Sequence, residues 1–140
     1  MKQAKVERDQ FAHARQNAKA WFESIELMVE RHEDAMERAQ NGGDETEATR
    51  REIEESVLSV QVREGWRFPG GRVEKENQPE EYEILLSTGG PALRIIGQLD
   101  PYCQPSTAEM QMQDWGVPWT RYPAPEDKLL AFASVFWFGE

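Results

Sequence analysis

The spacing of apolar residues changes once along this chain, and that change limits the folds open to it. Phe11, Ala14, Ala18, Trp21, Phe22, Ile25, Met28, Val29, His32 and Met36 recur at intervals of three and four. Such spacing lines one face of an α-helix and leaves the other to charged residues, so it predicts a long helix over residues 2–40. Asn41, Gly42 and Gly43 follow, and glycine ends helices because it reaches left-handed geometry at little steric cost. Asp44 then stands three residues before Glu47, the spacing of a capping box. A second helix is expected over residues 44–55, antiparallel to the first. From Leu58 the interval is two: Leu58, Val60 and Val62 alternate with Ser59, Gln61 and Arg63, as along a half-buried strand.

The stretch REGWRFPGGRVEKENQPEEY is rich in glycine, proline and charge and reads as a loop. Strands are expected at residues 82–87, 92–99 and 107–115. Pro118, Pro123 and Pro125 interrupt the next segment, and Pro125 with Glu126 and Asp127 suits the first turn of a short helix through 128–133. The closing SVFWFGE carries too many aromatics for a solvated tail, so it should pack onto the sheet or onto another subunit. The order α-α-β-β-β-β-α describes one α+β domain over 1–140: an N-terminal helical hairpin (1–56) followed by an antiparallel β-sheet with a short C-terminal helix (57–140). Trp21, Phe22, Ile25 and Met28 offer more apolar stripe than four strands can cover. A homo-oligomer is the expected remedy.

With 140 residues the chain can bury a core without covalent staples. Cys103 is its only cysteine, which rules out an internal disulfide and a multi-cysteine zinc site. No apolar run of about 18 residues is present for a membrane span, and MKQAKVERDQ is charged where a signal peptide needs an apolar stretch. A cytoplasmic protein is expected. The net charge is −10, with nine basic and fourteen acidic residues in 1–56 and seven against twelve afterwards. A surface this evenly acidic repels long nucleic acids, which bind through many phosphate contacts. A small anion needs only a few placed cations.

Catalytic chemistry finds little support. His13 and His32, the only histidines, both fall on the first helix, where His32 continues the apolar stripe and reads as a core or interface residue. Cys103 has no histidine near it in sequence, so nothing pairs a nucleophile with a base. Acidic pairs such as Glu54 with Glu55 or Glu80 with Glu81 are ordinary solvated faces in a chain with 26 acids. The expectation is no enzyme, no cofactor and no metal.

Two stretches suit ligand binding. In LLSTGGPALRI, Thr88, Gly89 and Gly90 form either a plain hairpin turn or a cradle of converging backbone amides for phosphate oxygens, with Arg94 following. It is neither a Walker loop nor a Rossmann fingerprint. In QDWGVPWTRY, Trp115, Trp119 and Arg121 could stack a purine and hold a phosphate, and Arg63, Trp66 and Arg67 offer a matching set after the first strand. The competing reading makes the tryptophans core or subunit contacts.

The blocks LSVQVREGW, YEILLSTGGPALRIIGQLD, QDWGVPWTRY and the terminal FWFGE resemble a widespread phage family identified with the first Thoeris anti-defence family. The likeness covers roughly residues 58–140, and the helical arm only in character. It implies a non-catalytic sponge that sequesters cyclic ADP-ribose isomers and, in some members, cyclic oligonucleotides. It also implies a dimer or hexamer, working in the cytoplasm of the infected bacterial host. The family's cyclic-oligonucleotide pocket joins an Arg and a Lys four apart on the N-terminal helix to a Thr-Gly turn. Here Arg15 and Lys19 have that spacing, which places them on one helix face, and Thr88 to Gly90 supply the turn. A solvated surface pair is the other reading of Arg15 and Lys19. For the ADP-ribose pocket the resemblance implies Arg with aromatics, which here means Arg63, Trp66, Trp115 and Arg121.

The main expectation is therefore a protein that captures a small cyclic nucleotide without turnover. The runner-up is a phage inhibitor that binds a host or defence protein directly, as a nucleic-acid mimic or in the manner of an anti-CRISPR. The third is an enzyme that cleaves a nucleotide signal.

Overall fold

A computed structural model describes residues 2–40, 44–64, 79–114 and 118–139, with side chains in the first helix from residue 12. The first element is the helix α1 (Lys2–Ala39). Most of its apolar stripe is buried: Ala14, Ala18, Ile25, Met28, Val29 and His32 are inside, as the spacing of three and four requires, but Met36 is exposed and Ala35, off the expected stripe, is buried beside it. α2 (Thr46–Ser56) follows. Arg38 pairs with Glu45 at 2.7 Å and Arg31 with Glu52 at 2.8 Å, so partners on one helix descend as those on the other rise. The two helices are antiparallel, as expected.

The start of α2 differs from expectation. Its N-cap is Glu45, with no side-chain capping bond, in place of Asp44. Arg38 on α1 engages the Glu45 carboxylate, so a contact between the helices is found where a local cap was expected. The hydroxyl of Thr49 donates to Thr46 O at 2.9 Å inside the first turn.

Five strands follow: β1 (Ser59–Glu64), β2 (Pro79–Ser87), β3 (Ala92–Gln98), β4 (Glu109–Gln113) and β5 (Thr120–Tyr122). They pair in sequence order, every neighbour antiparallel. Four of them lie close to where strands were expected, although β1 runs on to Glu64 and β2 begins at Pro79, both inside the stretch read as a loop. β3 ends one residue early because Leu99 forms an isolated bridge with Pro105. β4 starts after Thr107, whose Oγ1 accepts from Gln98 N at 2.8 Å. β5 was not expected. It is three residues between Pro118 and Pro123, and an edge strand tolerates flanking prolines because one side of it needs no ladder bonds.

The inner face of the sheet carries Tyr82, Ile84 and Leu86 from β2, Leu93 and Ile95 from β3, and Met110 and Met112 from β4, all buried. α1 and the last helix, α3 (Glu126–Ala133), lie on this face, with α1 touching β3, β4 and α3. α3 begins after Pro125, as read from sequence. Beyond it Phe136 and Phe138 are buried, and the Phe138 ring lies 4.8 Å from that of Tyr82. The aromatic end packs onto the sheet of its own chain, while Trp137 between them is exposed. Ile25 and Met28 are likewise buried within one chain, and Trp21 and Phe22 pack against the core. The exposed apolar side chains instead include Leu58, Val60 and Val62 of the β1 segment and Leu27 and Met36 of α1. No helix among the described residues is long and apolar enough to cross a membrane.

Candidate ligand-binding site

Side chains alternate across a strand, so what the sheet does not bury it presents outward. Register sets that outer face. Arg63 of β1 stands opposite Glu81 of β2, and Gln61 opposite Glu83. Glu83 stands opposite Ile96 of β3, Arg94 opposite Gln111 of β4, and Gln111 opposite Arg121 of β5. Three arginines from three strands thus share one surface. Trp119, just before β5, joins them: its ring centroid is 4.1 Å from the Arg94 guanidinium carbon, within the range of a cation–π contact.

Arg94 is the hub. Its Nη1 donates to Glu83 Oε2 at 2.7 Å and its Nε to Gln111 Oε1 at 2.9 Å. Gln111 in turn donates to Glu109 Oε2 at 2.7 Å, and Arg121 Nε lies 3.7 Å from Glu109 Oε1. A connected row of Glu83, Arg94, Gln111, Glu109 and Arg121 crosses four strands. Arg63 bonds Glu81 separately. Beside the row, over β1, β2 and β3, lies a cleft of about 480 Å³ bordered by Gln61, Arg63, Glu81, Glu83, Arg94 and Gln98.

This corrects the electrostatics expected from sequence. Arg63, Arg94 and Arg121 do gather, but each has a carboxylate partner. Three guanidinium groups against three carboxylates leave the described face neutral, where the sequence reading set arginines to hold a small anion. Glu81, Glu83, Glu109 and Gln111 were missed as site residues. Their signal was present, since they stand at the outward parity of β2 and β4, but only register reveals which arginine each one meets.

The turn from Thr88 to Gly90 is exposed. Gly89 has φ +91°, a conformation costly for a residue with a Cβ. Arg94 does not serve this turn: it is drawn to Glu83, whose partner Ile96 lies two residues further along β3. The turn is tied instead to α1, where Asn17 Nδ2 donates to Ser87 Oγ at 3.2 Å. Arg15 and Lys19 are both exposed on α1. Trp66, Arg67 and Trp115 lie outside the described residues.

The remaining chemistry-bearing residues take up structural positions. His32 is 5 % exposed, and its Nδ1 is 2.8 Å from Thr49 Oγ1 across the helix pair. Burial, then the nearby Arg50 charge, push its pKa below the ordinary histidine value, against a smaller opposite pull from Glu33. Burial and the Glu126 charge push the Tyr82 hydroxyl upward, and it donates to Thr107 O at 2.6 Å. Cys103, half-buried with φ 59°, sits in a turn where Asp100 Oδ1 accepts from Tyr102 N and Gln104 N. Among the described residues no cluster of three or more His, Cys, Asp or Glu could hold a metal ion. No protein-family model, curated protein or solved structure matches the chain.

Proposed function

We propose that this protein captures a small nucleotide-like ligand on the outer face of its sheet and holds it without chemical change. The observation that carries the reading is Arg94, fixed between Glu83, Gln111 and Trp119 at the border of a 480 Å³ cleft. A nucleotide brings three kinds of group: anionic oxygens, sugar hydroxyls with ring amines, and a flat base. Guanidinium groups suit the first, carboxylates and Gln amides the second, an indole the third. Arg63 and Arg121 have side chains 78 % and 70 % exposed. Exposed ion pairs like theirs contribute about 1 kcal/mol or less, so a phosphate can displace the carboxylates at small cost. Resemblance to the Thoeris anti-defence family narrows the proposed ligand to a cyclic ADP-ribose isomer, sequestered in the cytoplasm of a phage-infected bacterium.

Calorimetry with a cyclic ADP-ribose isomer tests this. Binding to the wild-type protein, with at least about tenfold loss in Arg94→Ala and Arg121→Ala, is expected. No heat and no shift in melting temperature would refute the reading. Heat-denaturing the complex separates a sponge, which returns intact ligand, from an enzyme, which returns products.

The pairing of all three arginines favours a second reading, in which the alternating acid and base of this face meet a host or defence protein directly. Co-purification of one protein partner without nucleotide is its signature.

A further inference from the structure

The three ion pairs of the outer face are not equivalent. Arg63 and Arg121 stand mostly in solvent, whereas the side chains of Arg94 and Glu83 are only 22 % and 28 % exposed. Water screens the first two pairs strongly and the third weakly. Separating Arg94 from Glu83 leaves a carboxylate without its counter-charge where little water can replace it, which is unfavourable.

Arg94 also has few ways to meet an anion. A guanidinium grips two oxygens of a phosphate through Nη1 with Nη2, or through Nε with Nη2. Glu83 holds Nη1 at 2.7 Å and Gln111 holds Nε at 2.9 Å, while the Trp119 ring centroid lies 4.1 Å from the guanidinium carbon. Either edge brings an anion close to the Glu83 carboxylate. Arg94 and Glu83 both border the cleft, with Ile96 and Gly97 beside them. An anionic group alone therefore meets a like charge that it cannot pair with. A ligand carrying N–H or O–H donors next to its anionic oxygens satisfies both halves of the pair: its oxygens take Arg94 and its donors take Glu83.

We infer that Glu83 sets the specificity of the cleft, excluding bare phosphates and admitting anions flanked by hydrogen-bond donors, such as the ribose hydroxyls and base amines of a nucleotide. An unpaired charge set against the wrong ligand is a general route to discrimination. The inference rests on the ligand-binding reading of this cleft and names the residue that selects within it.

Pyrophosphate, the anionic core of cyclic ADP-ribose without its donors, is the probe. Glu83→Gln keeps the shape of the side chain and an oxygen for Arg94 but removes the charge; Glu83→Thr, a residue suited to a strand, serves as a second variant. Calorimetry at low salt should show pyrophosphate binding at least about tenfold tighter to either variant than to the wild type. Glu54→Gln removes the same charge from an exposed position on α2 and should give no gain, and adding Arg94→Ala to Glu83→Gln should abolish the gain. A cyclic ADP-ribose isomer should bind Glu83→Gln no more tightly than it binds the wild type. Equal pyrophosphate binding to the wild type and both Glu83 variants, a gain matched by Glu54→Gln, or an equal gain for the nucleotide would each overturn the inference. A nucleotide that fails to bind the wild type refutes the functional reading instead, and the pyrophosphate comparison still decides the role of Glu83.

Discussion

Gly97 shows how one residue can be fixed by a neighbour that sequence does not reveal. A Cβ built there would lie 2.0 Å from Thr107 O and 2.7 Å from the Tyr82 ring, and neither a backbone carbonyl nor a buried ring in contact with Phe138 can retreat. Gly97→Ala should destabilise the fold by about 3 kcal/mol, read as a lower urea midpoint with an unchanged slope. Ala at Gly89 makes a useful contrast. Nothing lies within 4 Å of a Cβ there, so the cost comes from its positive φ alone, about 1 kcal/mol. At this scale the candidate site was half legible. Arg63, Arg94, Arg121 and Trp119 could be picked out as residue types. Their carboxylate partners could not, because Glu81 and Glu109 stand 18 and 12 positions from the arginines they meet.

The helical hairpin is the element whose stability should respond to pH near neutrality. His32 is buried between α1 and α2, and its pKa is lowered, so the folded protein binds a proton there less readily than the unfolded chain. Stability from this group is fully present above about pH 6.5, the unfolded value. It falls as the pH drops below that toward the lower folded pKa. Urea midpoints between pH 7.5 and 5.5 should decrease, and His32→Gln should flatten that dependence, even if it lowers the midpoint throughout. Thr49→Val should cost about 1 kcal/mol by removing the hydroxyl beside Nδ1. The hairpin itself was legible, because a stripe at three and four is a local signal. The cap of α2 was not, because Arg38 approaches Glu45 from the preceding helix.

At the scale of the whole molecule, the last residues close the core. Phe132 and Phe136 meet edge to face at 5.4 Å, and Phe138 is 3 % exposed against Tyr82 on the second strand. Phe138→Ala should cost about 3 kcal/mol through lost burial and the cavity left behind, measurable by denaturant titration. With ten more acidic than basic residues, the molecule should also gain stability as salt screens its self-repulsion. Raising sodium chloride should therefore raise the melting temperature, an effect that burial at Phe138 does not share.

Sequence alone determined what is local. Intervals of three and four made α1, intervals of two made β1 to β4, prolines set the start of α3, and aromatic density marked the end of the chain as core. Each of these depends on residues within a few positions of one another. The tertiary structure decided the rest: that residues 120–122 complete the sheet as a fifth strand, that Arg63, Arg94 and Arg121 of the outer face each meet a carboxylate, and that Leu58, Val60 and Val62 of the β1 segment are exposed while Ile25 and Met28 of α1 are buried. Those outcomes follow from strand register and from which face the helices cover, and both are set by contacts between residues far apart in the chain.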